Sequence, residues 1–365
     1  MARNLVLCLD GTSNRYKRDN TNVLKLFAML DRSRADQIVY YQPGIGTITP
    51  IGETSRVRRL FLRWIDLAFG ILLKQHCLGA YRFLMQTYQP GDRIYIFGFS
   101  RGAYTARVLA GMVQMVGLLP PNNDEMVDFA WKLYNRAPHN AAQWELVGNF
   151  REIFSVGPRR PTIELLGLWD TVSSVRYLLR NKTFPYTHDN PSVAHVRHAV
   201  ALDERRAYFR QNLWSPTARN QDLVEVWFPG VHCDVGGGYL AAQCGLSNIA
   251  LHWMLEEARG LANPVYFNDT AVKHYLPQAD SGAIVCPNAL ADPHESLKWY
   301  WWPFELIPKS YRLRAADGSY HTRWMIPFGR RRFLLDGMKV HRCVQARIDK
   351  GLFDRKRLPA EVEFV

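Results

Sequence analysis

The stretch that most constrains this chain is RIYIFGFSRGAYTARVLAGM, residues 93–112. An apolar, strand-like run ends in Gly-Phe-Ser-Arg-Gly and passes at once into apolar residues at helical spacing. Gly-x-Ser-x-Gly between a strand and a helix is the nucleophile-elbow pattern. The serine takes a sharp, strained turn, and a side chain at either flanking glycine would collide with the neighbouring strand or helix. Ser100 Oγ is then expected to stand above the carboxyl edge of a sheet, beside the positive end of the following helix. The competing reading is that Ser100 merely caps that helix.

The rest of the chain reads as alternating strands and helices. Residues 4–10 (NLVLCLD), 37–44, 93–99, 162–170 and 223–232 read as strands, rich in Val, Ile and Leu. Residues 55–88, 103–119 and 247–261 carry helical spacing. Together they predict a mostly parallel sheet covered by helices on both faces, an α/β architecture. No internal repeat or low-complexity tract interrupts it. Beyond about residue 265 the pattern weakens and prolines become frequent. The expected organisation is therefore a catalytic domain over 1–264 and a C-terminal extension over 265–365, packed on it or forming part of a lid. LKWYWWPFELIP (297–308) is either the aromatic core of that extension or a membrane-contacting surface.

A serine hydroxyl needs a base to take its proton and an acid to orient the base. In α/β-hydrolases these follow in the order serine, carboxylate, histidine. Asp170 ends the run TIELLGLW, which places it at the rim where Ser100 is displayed; a loop-capping aspartate is the bland alternative. His232 follows LVEVWFPGV and opens the glycine-rich turn CDVGGGY. Asp234 stands two residues on, as a supporting group, a turn former or the acid in place of Asp170. Acyl transfer also needs donors aimed at the oxygen that becomes negative. The N–H of Arg101 is one candidate, and the N–H of Gly11 or Thr12, after the first strand, is the other. Asp10 would repel an oxyanion, so its expected role is to hold that loop by accepting hydrogen bonds.

Composition narrows the classes. The chain is 47% hydrophobic and 22% charged, enough for a large core and against disorder. A net charge of +13 directs attention to anionic partners, nucleic acid or an anionic lipid surface, with clusters at Arg56, Arg58, Arg59 and at Arg330, Arg331, Arg332. No nucleic-acid module or phosphate-cradling loop accompanies the charge, which makes nucleic acid the weaker option. The six cysteines form no CxxC pair, which favours reduced thiols over a zinc site or a disulfide scaffold. No HExxH or similar spacing calls for a metal, and no cofactor is implied. The amino terminus reads as strand and turn rather than signal peptide. The most membrane-like stretch, 60–73, is short and interrupted by Arg63 and Asp66. The expectation is a protein that is not integral to a membrane, cytoplasmic or exported without a cleavable signal. The basic, amphipathic segment 56–73 either lies on an anionic interface or is a packed helix with a basic outer face.

LCLDGTSN, TNVLKL, YYQPGIGT, GFSRGAYTAR, LLGLWDTV, ALDERR and VWFPGVHCDVGGGY, in this order, resemble the α/β-hydrolase domain of type VI secretion phospholipase effectors. The likeness runs from about residue 3 to 260, with a weaker echo in GRRRFLLDGMKVHRCVQAR (329–347). It implies Ser100 as nucleophile, His232 as base and an aspartate, Asp170 before Asp234, as acid. It also implies hydrolysis of a lipid ester, with phospholipase A-type activity. Two further readings stand beside it: hydrolysis of a small soluble ester or thioester, and a non-catalytic protein binding anions or nucleic acid through its basic surface.

Overall fold

The computed structural model describes residues 2–11, 20–44, 72–136, 140–157, 161–172, 184–214, 221–279, 284–314 and 320–365. Its centre is an eight-stranded parallel sheet. The strands are β1 (Asn4–Leu9), β2 (Gln37–Gln42), β3 (Arg93–Phe99), β4 (Ile163–Trp169), β5 (Val193–Ala201) and β6 (Asp222–Phe228), followed by two from the carboxyl-terminal region. A separate antiparallel hairpin, β7 (Lys309–Arg314) and β8 (Tyr320–Met325), stands between β6 and the last two, β9 (Met338–Val340) and β10 (Val362–Phe364). The spatial order is β10-β9-β6-β5-β4-β3-β1-β2.

Alternation along each strand divides the core into two layers. Leu5, Leu7 and Leu9 of β1, with Ile94 and Ile96 of β3, face one layer. Val6, Cys8, Tyr95, Phe97 and Phe99 face the other. The first layer is covered by helical residues 72–87, by Arg101–Val116 and by Asp124–Arg136. Asn22–Met29 and Gly245–Arg259 cover the second. We call these helices, in chain order, α1 (Asn22–Met29), α2 (72–87), α3 (Arg101–Val116), α4 (Asp124–Arg136) and α5 (Gly245–Arg259). The two-faced covering is what the long Val/Ile/Leu runs require.

The main sheet departs from the sequence expectation in two ways. Strand β5 was not anticipated, because VAHVRHAVA carries two histidines and an arginine where a buried strand is normally apolar. Those polar groups are satisfied across the fold: Arg197 pairs with Asp222 and Glu257, and His198 with Glu225. In addition, β9 and β10 join the main sheet beside β6, so the sheet itself crosses the boundary expected at residue 264. The segment 56–71 and its basic cluster lie outside the described residues.

The chain runs from β1 outward to β2, then returns to the other side of β1 to lay down β3. In open α/β sheets such a reversal leaves a crevice outside the carboxyl ends of the two inner strands. Asp10, Ser100, Asp170 and the residues leading to His232 follow β1, β3, β4 and β6 at that edge.

Candidate active site

Ser100 sits between β3 and α3 with φ +58° and ψ −120°, a conformation that side chains rarely adopt and that costs about 1–3 kcal/mol. Its N–H donates to the Trp169 carbonyl at 3.0 Å, which pins the turn to the end of β4. The flanking glycines are required by contact. A Cβ on Gly98 would stand 2.7 Å from the Ala103 Cα on the helix side. One on Gly102 would stand 2.2 Å from the Leu9 carbonyl oxygen, at the end of β1. The capping alternative for Ser100 is not realised: its side chain makes no capping hydrogen bond to α3.

Asp170 follows β4 and also has positive φ, +38°. Its N–H continues the ladder to the Ala199 carbonyl at 2.7 Å, which turns the carboxylate inward over the sheet edge. His232 follows β6 at the start of a short helix, His232–Gly236. Gly237 and Gly238, both at positive φ, let the chain fold back from that helix.

These groups, far apart in the chain, meet. Ser100 Oγ lies 2.8 Å from His232 Nε2, and His232 Nδ1 lies 2.6 Å from Asp170 Oδ2. A carboxylate can only accept, so the imidazole proton sits on Nδ1 and Nε2 faces the hydroxyl as an acceptor. All three residues are buried, and the imidazole is held between the rings of Phe99 and Phe209, at 4.6 and 4.9 Å between centroids. Burial lowers the His232 pKa, and Asp170 offsets only part of that. Burial alone would raise the Asp170 carboxyl. The Arg332 guanidinium and the hydrogen bonds from His232 and Arg332 outweigh it and hold the group well below the usual carboxylate range. Burial pushes the thiol of neighbouring Cys233 up to about 12.

Asp234 does not face His232. Its carboxylate accepts from the Val231 N–H at 2.9 Å and from His294, through the backbone N–H at 3.0 Å and Nδ1 at 2.6 Å. It braces the turn that carries the histidine. Asp10 holds its loop through hydrogen bonds from Thr21 Oγ1 at 2.7 Å and Tyr41 Oη at 2.9 Å. It also takes the N–H of Gly11 at 2.7 Å. That donor is thereby committed, which corrects the expectation that it would point at an oxyanion. Thr12 lies outside the described residues. Arg101 is the first residue of α3, directly after Ser100.

Two buried groups were not anticipated here. Arg332, read as part of a basic cluster and of the weaker family echo over 329–347, forks onto Asp170, whereas its neighbours Arg330 and Arg331 are exposed. Glu204 accepts from the His232 N–H at 3.2 Å, from Ser296 Oγ and from Arg206. The ALDERR block contained Glu204, but nothing local says where that carboxylate turns. No group of three or more metal-ligating side chains gathers among the described residues.

A parallel sheet covered on both faces, with hydroxyl, imidazole and carboxylate in line at its carboxyl edge, defines an α/β protein of the hydrolase-like class. Residues 3–257 match the family model described as "T6SS, Phospholipase effector Tle1-like, catalytic domain". The chain belongs to this family. A curated relative, the uncharacterized protein YEL023C of Saccharomyces cerevisiae, is 42% identical over 226 residues. That match takes in 59% of this chain and 33% of the yeast protein, so the chain spans about a third of that relative's length. Among solved structures, an uncharacterized protein from Pseudomonas aeruginosa is similar at 21% identity and a TM-score of 0.42, over 78% of this chain and 49% of that one. The Tle1 effector bound to the VgrG spike of the type 6 secretion system is similar at 21% identity and a TM-score of 0.39, over 67% and 53%.

Proposed function

We propose that this chain is a serine-dependent carboxylic-ester hydrolase of the lipase and phospholipase type. The observation that carries the reading is the continuous relay Ser100 Oγ–His232 Nε2, His232 Nδ1–Asp170 Oδ2, at 2.8 and 2.6 Å. In this reading Ser100 Oγ attacks the ester carbonyl carbon as His232 Nε2 takes the hydroxyl proton. Collapse of the tetrahedral intermediate breaks the bond to the leaving alkoxide, which takes that proton and departs as an alcohol. Water then attacks the acyl-enzyme, His232 takes its proton, and the fatty acid leaves as Ser100 is reprotonated. Asp170 keeps the tautomer and orients the ring. The Arg101 N–H, at the positive end of α3, is the proposed oxyanion donor. With Gly11 committed to Asp10, Thr12 is left as the proposed second donor.

The substrate class is a lipid ester. Beside the relay, Phe209 touches both the His232 ring and Trp301, at 4.9 and 5.7 Å between centroids. Further along the carboxyl-terminal region Trp299, Trp302, Trp324, Ile326 and Phe328 are all exposed; Trp299 is 83% and Trp324 70% accessible. Exposed aromatic side chains on a chain of net charge +13 suit an anionic lipid interface, whereas a small soluble ester needs neither. Among the described residues no helix is long and apolar enough to cross a membrane. Contact from the surface is the mode proposed.

A fluorophosphonate probe tests the chemistry without knowledge of the substrate. It is expected to label Ser100 in the native protein and to leave Ser100→Ala unlabelled. Ester hydrolysis by Ser100→Ala at the native rate would defeat the reading.

A further inference from the structure

The carboxyl-terminal region, beyond residue 257 where the family match ends, places one cation inside the site. Arg332 is buried, with Nη1 2.5 Å from Asp170 Oδ1 and Nη2 2.9 Å from Oδ2. Nη1 also donates to the Ala201 carbonyl at 2.9 Å, and Nη2 to that of Phe209. The Ala201 N–H donates to Oδ1 at 3.0 Å, and His232 Nδ1 to Oδ2 at 2.6 Å. Each carboxylate oxygen thus has two donors, and the fork sets the plane in which the carboxylate meets the imidazole.

We propose that Arg332 is a positioning residue for this site: a clamp from outside the family-matched segment that fixes the Asp170 carboxylate and carries its balancing positive charge. The proposal rests on the hydrolase reading above and adds a residue to it. Asp170 is fully buried, and a neutral imidazole offers it a hydrogen bond but no counter-charge. Arg332 supplies that charge directly. The remaining charged and titratable groups are few. Glu204 and Arg206, themselves paired at 3.0 Å, flank His232, and Glu204 accepts the His232 backbone N–H. Behind Asp170, His198 Nε2 accepts the Thr171 N–H at 3.2 Å. Cys233 is neutral, and Asp234 is turned to His294. Removing Arg332 therefore leaves the carboxylate–imidazole pair with a surplus of negative charge. The imidazolium becomes easier to form, and the base is blocked by a proton up to a higher pH.

The test is kcat/KM against pH on a monomeric nitrophenyl ester, for the native protein, Arg332→Lys and Arg332→Ala. Thermal unfolding is recorded alongside. In Arg332→Ala the acid limb is expected to move up by about one pH unit, with the rate at neutral pH down at least about tenfold. Added guanidinium should restore part of the loss. Arg332→Lys keeps the charge but not the fork. Its acid limb should stay near the native position while the plateau falls about tenfold. A purely structural arginine would lower the unfolding temperature and the plateau without moving the limb. A folded Arg332→Ala with an unmoved limb overturns the proposal. If Arg332→Ala does not fold, the lysine variant decides, and a native plateau there overturns it. Failure of the hydrolase reading shows differently, as Ser100→Ala hydrolysing the ester at the native rate.

Discussion

Two buried histidines, one strand apart, carry the same partner and do different things. His232 and His198 each set Nδ1 against a carboxylate, Asp170 at 2.6 Å and Glu225 at 2.7 Å. Burial lowers the pKa of both, with the carboxylate working against it. They differ at the other nitrogen. Nε2 of His232 meets a hydroxyl on a strained turn, whereas Nε2 of His198 accepts the Thr171 N–H at 3.2 Å. A histidine–carboxylate pair is thus no mark of a general base. What the free nitrogen faces decides, and His198 spends its nitrogen on holding the backbone that follows Asp170.

The comparison breaks most sharply at the hydroxyl and the ring. Ser100→Ala and His232→Ala are each expected to lower ester hydrolysis by at least about 10⁴-fold while the fold persists, checked by single-turnover assay and circular dichroism. Asp170→Asn should cost about 10³–10⁴-fold, because an amide can hold the wrong tautomer. Asp234→Asn, which touches His294 rather than His232, should cost less than about tenfold. Equal damage from the two asparagines would refute the assignment of the acid.

The same contrast governs pH. A His232 pKa below its ordinary 6.5 puts the acid limb of kcat/KM below pH 6.5, so the rate rises with pH and is flat at neutrality. A limb above 6.5 would contradict the burial argument. For stability the sign follows from proton counts. Folded His198 holds its proton less well than the unfolded chain does, so its contribution is complete above about pH 6.5 and is lost as pH falls towards its folded value. His198→Ala should destabilise by about 1–3 kcal/mol in urea titration at neutral pH, by leaving the Thr171 N–H and Glu225 short of a partner. It should also flatten the acid-side loss. Its effect on ester hydrolysis should be several-fold at most. The smallest effect belongs to the exposed aromatic residues. Trp299→Ala with Trp324→Ala should leave the monomeric-ester rate within about twofold while weakening sedimentation with phosphatidylglycerol vesicles about tenfold.

What could be read from the chain and what could not separates by range. The elbow was legible because most of its demands are local: a positive φ at Ser100 and no Cβ at Gly98 act within five residues, and only the Gly102 constraint comes from afar, from the Leu9 carbonyl. Asp170 and His232 were legible as polar residues ending apolar strands. Strand β5 was not, because Arg197 and His198 become tolerable inside a sheet only once Glu257, Asp222 and Glu225 arrive from elsewhere. Strands β9 and β10, three residues each, are too short to show a period. The aromatic run 297–308 read first as the core of the extension and second as a contact surface, and the structure turns Trp299 and Trp302 outward.

The sequence by itself determined the alternation of strands and helices, the strained serine turn and the order in which serine, aspartate and histidine follow one another. Hydrophobic period and backbone sterics act between near neighbours, so they are written into the string. Only the tertiary structure decided which carboxylate the imidazole would meet, which glycine N–H was already spoken for, and that one of three consecutive arginines would be buried. Those outcomes depend on charges brought together across up to 162 residues, as Arg332 is to Asp170. Coulombic and hydrogen-bond partners act through space, and a chain records them only once it is folded.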